Sequence, residues 1–332
     1  MRTIMQYIKG GALLSFLLVT ACGNTQTGKV QETASVENVI VPEFNADSAY
    51  HYVATQVAFG ARVPNTPAHK ACGDYLRETL ERHGAKVVVQ DMQLMAFDGK
   101  SLQARNIIGS YNPEAKARIL LSAHWDSRPF ADEDTATHHK TPIDGANDGA
   151  SGVGVLLEIA RVLGKQSPTI GVDIIFFDAE DYGYASFTGL PYVEHSWCLG
   201  SQYWGRFPHV PDYKARFGIL LDMVGAKNAT FYYEGFSKRT AYTPLKKIWD
   251  VAHQLGYERY FIHETGGEIT DDHVYIHQYR GIPCVDIVHL DPRSDTGFNP
   301  TWHTLQDNIE NIDTETLNVV GRTVLQVIYN EK

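Results

Sequence analysis

Apolar runs and segments of helical periodicity alternate along most of the chain. Residues 172–177 have the sequence Val-Asp-Ile-Ile-Phe-Phe, an almost uninterrupted apolar run that is typical of a central strand buried on both faces. Other apolar runs predict strands at residues 86–94, 102–111, 118–123, 217–221, 229–233 and 283–289. Apolar residues at helical spacing predict helices at residues 44–59, 67–83, 152–163, 198–207, 243–255 and 314–329. Strands that alternate with helices indicate an α/β fold with a mostly parallel sheet covered on both faces.

The first forty residues have a different pattern. Arg2 and Lys9 precede an apolar run at residues 12–19, and small residues lead up to Cys22. A basic head, a short apolar segment and a small-residue cleavage site are typical of an export signal. The apolar run is too short to remain in a bilayer as a spanning helix.

The residues before Cys22 resemble the cleavage box of bacterial lipoproteins, in which the cysteine becomes acylated; a plain secretory peptide is the alternative. We therefore predict a lipoprotein signal peptide over residues 1–21, a flexible tether over 22–42 and a single domain over 43–332. The mature protein is then expected in the bacterial cell envelope, exported and lipid-anchored to a membrane through Cys22, on the periplasmic face.

Composition limits the possible functions. The chain has 332 residues, a net charge of −10 and 43% hydrophobic residues, which is ordinary for a globular protein with a large core. No Lys/Arg-rich stripe is present, which argues against nucleic acid as a partner. Cys72, Cys198 and Cys284 are far apart and odd in number, which argues against a disulfide framework. The pattern shows no exposed amphipathic stripe, so we expect a monomer.

Acidic and histidine side chains follow the ends of several predicted strands, or lie in the segments between them. They are His124, Asp126, Asp148, Glu180, Asp181, Asp222, Asp271 and His303. Singly, each has an ordinary explanation; Asp148, for example, could cap the following helix. Together they are expected to converge, because parallel strands end at one edge of the sheet. Converging carboxylates repel unless a cation lies among them, and Asp and His are suitable ligands for a catalytic zinc ion.

The order of these motifs resembles that of the zinc aminopeptidase superfamily. The motifs are His124-Trp125-Asp126, residues 148–152, residues 176–181, residues 221–225 and residues 302–308. Within that superfamily, Asp271-Asp272-His273 and Trp302-His303-Thr304 resemble the glutaminyl-peptide cyclotransferase branch, in its bacterial form. The resemblance covers roughly residues 45–330 and implies a three-layer α/β/α sandwich around a mixed, mostly parallel sheet.

The resemblance also implies roles for particular residues. It implies one zinc ion per chain, with Asp148, Asp181 and His303 as ligands. It makes Glu180 the general acid/base and part of the substrate site. The implied reaction is cyclisation of the N-terminal glutamine of a peptide or protein to pyroglutamate, with release of ammonia.

Further residues are assigned to the surroundings of Glu180 and the metal. The resemblance places Asp271 and Asp222 in an acid network beside Glu180, and Trp302 in the wall of the substrate pocket. His124 and Asp126 are assigned either to a second metal site or to structural hydrogen bonds.

The sequence departs from the animal cyclases at two places. Asp181 stands where they have Glu, and a Trp that they place shortly after this ligand has no counterpart that can be aligned. Tyr182, Tyr184 and Phe187 are the nearby candidates for that wall, within an aromatic loop that is expected to form a wall or lid. Two alternatives stay open: a zinc aminopeptidase of the same fold, and a lipid-anchored binding protein without catalysis.

Overall fold

A mixed sheet of six strands forms the centre of the computed structural model, which describes residues 40–332. The strands in chain order are β1 (Lys86–Met95), β2 (Ser101–Tyr111), β3 (Arg118–His124), β4 (Gly171–Phe177), β5 (Gly218–Asp222), β6 (Phe231–Tyr233), β7 (Phe261–Thr265) and β8 (Cys284–Val288). The large sheet has the order β1-β2-β4-β3-β5-β8, and β6 pairs with β7 in a separate two-stranded sheet. The predicted Cys22 anchor, the signal peptide and most of the tether lie outside the described residues.

Eight α-helices accompany the strands within residues 40–332. They are α1 (Ala46–Ala58), α2 (Pro67–Arg82), α3 (Ala150–Lys165), α4 (Leu199–Arg206), α5 (Gly235–Thr240), α6 (Tyr242–Gln254), α7 (Asp272–Arg280) and α8 (Thr314–Asn330). None of them combines the length and the apolar character that a membrane crossing requires.

Strand β4 lies inside the sheet, as its sequence predicts, and every one of its residues is buried. Its alternating side chains enter two different clusters. Ile174 and Phe176 pack in the cluster that includes residues of α1, α3 and α8. Ile175 and Phe177 pack on the opposite side with Trp204 of α4 and Ile276 of α7. The sheet is therefore covered by helices on both faces, which confirms the predicted three-layer α/β/α architecture.

The strand directions bring the predicted site residues together. Strands β4, β3, β5 and β8 run parallel, whereas β2 is antiparallel to both of its neighbours. His124 at the end of β3 is in register with Phe177 of β4, and Asp222 at the end of β5 is in register with Val288 of β8. All four strands consequently end at the same edge.

The sequence pattern misses several elements in the last third of the chain. It predicts neither α5, β7 nor α7, although all three are present. The first turns of α7 bury Asp272 and His273, so polar residues occupy positions where an apolar stripe would have signalled a helix. Helix prediction by periodicity fails here because the buried part of α7 mixes these polar residues with Val274, Tyr275 and Ile276.

Candidate active site

A cavity of about 550 Å³ lies beyond the carboxyl ends of the parallel strands. Seven of the predicted site residues line it: Asp148, Glu180, Asp181, Asp222, Asp271, Trp302 and His303. His124 and Asp126 are buried directly behind them. The residues that the sequence distributes over almost 180 positions are thus brought to one place by the sheet topology.

Asp148, Asp181 and His303 form the first compact group in this cavity. Their donor atoms all lie within 4.8 Å of one another. His303 Nε2 is 3.3 Å from Asp181 Oδ1 and 3.6 Å from Asp148 Oδ2. The second oxygen of Asp181 is buried and has no hydrogen-bond partner among the described residues. Two carboxylates and one imidazole, with an orphaned oxygen between them, fit a catalytic zinc ion that keeps further positions open.

The orientation of His303 is fixed by Asp132, a residue that the sequence patterns do not indicate. His303 Nδ1 is 3.2 Å from Asp132 Oδ1, so the opposite ring atom, Nε2, faces Asp148 and Asp181. This carboxylate–histidine arrangement is the usual support of a metal-binding histidine. Burial opposes ionisation of Asp132, but hydrogen bonds from Arg128 and His303 outweigh it and lower the pKa of this carboxyl.

Arg128 contacts several parts of the group formed by Asp148, Asp181 and His303, which is the candidate metal-binding group. Its guanidinium donates to both oxygens of Asp132 and to the backbone carbonyl of Asp181, the latter at 2.9 Å. It also lies over the ring of Trp197, 4.4 Å from the centroid. A buried arginine therefore offsets part of the negative charge and ties the loop after β3 to the loop after β4.

Asp126 holds the backbone of the segment that carries Glu180 and Asp181. Its two oxygens accept hydrogen bonds from the N–H groups of Glu180 and Asp181, each at 3.1 Å. The segment also contains Ala179 at a φ of 53°, a left-handed conformation that is unfavourable for alanine unless its surroundings hold it. Asp126 thus has a structural position, one of the two roles that the sequence leaves open.

Asp307 plays the same part on the other side of the metal-binding group. Its oxygens accept from the N–H groups of Asn147 and Asp148 at 2.7 and 3.0 Å. Asp148 itself does not cap α3, because the helix N-cap is Gly149, without a side-chain hydrogen bond. Both metal-binding aspartates are therefore presented by backbone segments that a buried carboxylate fixes.

His124 lies between two carboxylates of the cavity. Its Nε2 atom is 3.0 Å from Asp148 Oδ1 and 3.2 Å from Asp222 Oδ1. Burial lowers the pKa of His124, but hydrogen bonds to Asp126, Asp148 and Asp222 outweigh it and raise the pKa well above its ordinary value. The donor atoms of His124, Asp148 and Asp222 also lie within 4.8 Å of one another, so this second group has a composition that could hold a cation.

Glu180 lies close to several other acids, with His124 as the nearby histidine. Donor atoms of Glu180, Asp271 and Cys198 lie within 4.8 Å of one another. Burial raises the pKa of Glu180 well above its ordinary value; the charges of Asp271 and Asp181 add to this, while His124 opposes it. A carboxyl with a raised pKa is suited to take up and return a proton.

Behind Asp271 lies a further polar group that the sequence does not reveal. His273 Nε2 is 3.0 Å from Glu234 Oε2, and His273 Nδ1 is 3.5 Å from Asp286 Oδ2. Both oxygens of Asp286 and one oxygen of Asp271 are buried and lack hydrogen-bond partners among residues 40–332. Burial, followed by the charge of Asp271, raises the pKa of Asp286 well above its ordinary value. Glu180, Asp271 and Asp286 therefore form an acid side of the cavity, on which burial raises the pKa of each carboxyl.

Aromatic side chains form the remaining wall. Trp302 stacks on His303 with ring centroids 3.8 Å apart, and Trp197 lies parallel to the same imidazole at 6.0 Å. Phe298 and Tyr192 complete the wall. The prediction for Trp302 places it correctly at the cavity, and the loop after β4 supplies Trp197 and Tyr192.

The aromatic residues suggested from the sequence for that loop are the wrong ones. Tyr182, Tyr184 and Phe187 are absent from the cavity lining and instead pack around Phe97 and Phe130. They follow Asp181 most closely in sequence, but the chain turns away from the cavity after Asp181 and returns to it only at Tyr192. Only the path of the loop decides which of its aromatic residues face the substrate.

The chain is similar to proteins named as zinc-dependent exopeptidases and as glutaminyl cyclases. The family model for peptidase family M28 matches residues 106–328. A Zn-dependent exopeptidase from Parabacteroides distasonis is 60% identical, with a TM-score of 0.87 over 88% of this chain and 100% of that one. A Bacteroides thetaiotaomicron glutaminyl cyclase bound to N-acetylhistamine is 58% identical, with a TM-score of 0.86 over 88% and 100% of the two chains. Bovine glutaminyl-peptide cyclotransferase is 28% identical over 307 residues, covering 81% of this chain and 78% of the bovine protein.

Proposed function

The chain belongs to peptidase family M28, and we propose that it is a zinc-dependent glutaminyl cyclase. It converts the N-terminal glutamine of peptides or proteins to pyroglutamate and releases ammonia. The observation that carries this proposal is the buried acid pair of Glu180 and Asp271, which lines the same aromatic-walled cavity as the metal-binding group. The similarity to named glutaminyl cyclases supports the same reaction.

Cyclisation requires proton transfer but no added nucleophile. The α-amine of the substrate attacks the carbon of its own side-chain amide; a C–N bond forms, the bond to the amide nitrogen breaks, and ammonia leaves. Glu180 takes a proton from the amine and returns one to the leaving nitrogen, because a buried carboxyl with a raised pKa can act as base and then as acid. Asp271 helps to keep that pKa high by its negative charge.

The metal-binding group lines the same cavity as Glu180. Asp148, Asp181 and His303 would hold the zinc ion, which would supply a Lewis acid for the carbonyl oxygen. The wall formed by Trp197, Trp302 and Phe298 encloses the first residue of the substrate. An apolar wall also limits access of water, which favours the internal amine over hydrolysis.

One zinc ion per chain is part of this proposal. His124 Nε2 contacts both Asp148 and Asp222, so an imidazolium there balances charge that a second metal ion would otherwise balance. Metal analysis of the purified protein is expected to find one tightly bound zinc per chain. Two tightly bound ions would contradict this stoichiometry and move the assignment towards a two-metal hydrolase.

The test of the reaction uses a peptide that begins with glutamine. We expect release of ammonia and a product that has lost one ammonia while every peptide bond stays intact. The control peptide has the same sequence with an acetylated N-terminus, which removes the attacking amine and should prevent the reaction. Release of free glutamine would instead show an aminopeptidase.

The aminopeptidase alternative has one specific observation in its favour. The group of His124, Asp148 and Asp222 has donor atoms within 4.8 Å of one another, and a second metal ion bound there could activate water. The name of the similar Parabacteroides distasonis protein points in the same direction. Leucine- and alanine-initiated peptides are the substrates that would reveal this activity.

We also propose that the protein is exported to the cell envelope as a monomer anchored through Cys22. The export and the anchor rest on the sequence of residues 1–22, and the monomer on the lack of an exposed amphipathic stripe in the sequence pattern. The expressed full-length chain is expected to enter the detergent phase on phase separation, and Cys22→Ser is expected to leave it in the aqueous phase. Equal partition of the two proteins would contradict the anchor.

A further inference from the structure

We propose that Cys198 is a positioning residue for Glu180: its thiol holds one carboxylate oxygen so that the other one serves the substrate. The thiol Sγ donates a hydrogen bond to Glu180 Oε1 at 3.1 Å. The proposal rests on the proposed function, in which Glu180 moves the proton. It assigns a role to a cysteine to which the sequence analysis gives none.

The backbone gives this contact a fixed geometry. The N–H of Cys198 donates to the carbonyl of Glu180 at 2.9 Å, and the N–H of Leu199 donates to the carbonyl of Ala179 at 3.1 Å. Cys198 adopts a φ of 58° directly before α4, a conformation that residues other than glycine rarely adopt without support from their surroundings. The two segments are thus joined through both main chain and side chain.

The two oxygens of Glu180 have different surroundings. Oε1 faces the thiol, whereas Oε2 is the oxygen that approaches His124, with 4.0 Å to Nδ1. A carboxylate held at one oxygen cannot turn freely, so the same oxygen faces the reacting groups in every turnover. Positioned groups of this kind gain rate because they need not be reoriented before the reaction.

The chemistry of a buried thiol suits this role. Cys198 is fully buried, and burial followed by the charge of Glu180 raises the pKa of the thiol well above its ordinary value. It therefore remains a donor and does not compete with Glu180 for the proton. A thiol is also a weak donor, so it orients the carboxylate without strongly favouring the ionised form, as a guanidinium would.

Cys72 offers a matched control within the same chain. It is also fully buried and free, but it lies in α2 within the apolar core cluster beside Leu76 and Leu80. Replacement of Cys72 by alanine removes the same atoms from a packed interior without touching the cavity lining. Any loss of thermal stability that comes only from the unfilled volume in the core should appear in both alanine variants.

The experiment measures kcat and KM of the full chain with a Gln-initiated peptide, together with bound zinc. Cys198→Ala is expected to lower kcat about tenfold, a fraction of the ~10²–10⁴-fold that general acid–base catalysis contributes. KM and zinc content should stay within about twofold, since the metal-binding group is intact. Cys198→Ser restores a donor and should recover most of kcat, whereas Cys72→Ala should lower only thermal stability.

An infrared readout makes the contact visible without turnover. The S–H stretching band that disappears in Cys198→Ala should lie at lower frequency than that of Cys72, and should shift when Glu180 is replaced by Gln. A wild-type kcat in Cys198→Ala, or a band that Glu180→Gln leaves unchanged, would overturn the proposal. If Glu180→Gln shifts the band but the wild-type protein releases no ammonia from the peptide, the proposed function and the role that depends on it would be overturned. The hydrogen bond between Cys198 and Glu180 would still stand.

Discussion

The two sides of the cavity solve opposite electrostatic problems. On the metal side, Asp148 and Asp181 face His303, and Arg128 with Asp132 supports them with short charged hydrogen bonds. On the acid side, Asp271 and Asp286 are buried with oxygens that lack partners among the described residues. The metal side brings cationic side chains to its carboxylates, whereas on the acid side burial raises the pKa of Asp271 and Asp286.

This difference explains how neighbouring residues can have different functions. Glu180 and Asp181 are adjacent in sequence, and Asp126 fixes both N–H groups. Asp181 points towards His303, whereas Glu180 contacts Cys198 and lies close to Asp271. The side-chain surroundings, rather than the backbone, therefore distinguish the proposed metal ligand Asp181 from the proposed proton-transfer residue Glu180.

Of the substitutions considered, Glu180→Gln on the acid side should lower kcat the most. Removing the proton acceptor is expected to lower kcat by about 10²–10⁴-fold, because general acid–base catalysis contributes roughly that amount. Zinc content should be unchanged, since Glu180 is outside the metal-binding group. Steady-state kinetics and metal analysis check both points.

The control for this variant is Glu158→Gln, which changes another buried glutamate, one that pairs with Arg161 outside the cavity lining. It is expected to lower thermal stability and leave kcat near the wild-type value. If Glu180→Gln kept more than about half of kcat, the proton-transfer role would have to be given to another residue.

Asp132→Asn should weaken zinc binding on the metal side. The loss of the carboxylate that orients His303 is expected to weaken zinc binding about 10- to 100-fold, a typical effect for residues behind a metal ligand. With zinc in excess, kcat should recover to a large part of the wild-type value. Competition with a chromogenic chelator measures the affinity, and Glu133→Gln, an exposed neighbour in the same loop, is the matched control. Equal zinc affinity in both variants would remove Asp132 from the metal site.

Removal of zinc should make the free energy of unfolding depend on the charges of the carboxylates around the cavity. Burial, followed by the charge of Asp148, raises the pKa of Asp181 to about 6. Burial, opposed by His124 and reinforced by Asp148, raises the pKa of Asp222 to about 7. Unfolded aspartate has a pKa of about 3.9, so the folded chain binds more protons than the unfolded one between these values. The free energy of unfolding of the chelated protein should therefore fall as pH rises from about 5 to about 8, by at most about 1.4 kcal/mol per pH unit and group.

Thermal unfolding with chelator and with added zinc, over the same pH series, measures this difference. The zinc-loaded protein should show a flatter dependence, because the ion compensates the carboxylates that otherwise repel. A chelated protein whose melting temperature rises with pH over this range would contradict the account of the cavity charges.

Trp197→Phe should have the smallest effect and sharpen the picture of the wall. The variant keeps an aromatic ring but loses part of the stacking with His303 and of the contact with Arg128. We expect KM to rise about two- to tenfold with little change in kcat, since such contacts are worth about 0.5–1.5 kcal/mol. Trp204→Phe, which removes the same atoms from a buried core cluster outside the cavity lining, should lower stability but leave KM unchanged. Equal KM values in both variants would exclude Trp197 from the substrate wall.

The fold and the main site residues could be predicted because they follow from local patterns. The apolar run of β4 requires burial on both faces, and acids that follow such a strand must lie at its carboxyl edge. The same reasoning applies to His124 and Asp222, which end β3 and β5. The prediction that these residues converge depended only on strand direction, which the alternation of strands and helices indicates.

Other parts of the site depend on pairs of loops that have no periodic pattern. Asp132 reaches His303 across 171 positions, and Cys198 reaches Glu180 only because the loop between them turns back. Asp286 lies within an otherwise apolar strand, where its sequence surroundings give no sign of the neighbouring Asp271 and His273.

The sequence by itself therefore determined the layered fold, the edge at which the site lies and the residue types that gather there. Only the tertiary structure decided which carboxylate is supported by a cation, which is left to hold a proton and which aromatic residues form the wall. The physical reason is that periodicity and strand direction are properties of a single segment, whereas a hydrogen bond or a pKa depends on side chains that different segments bring together.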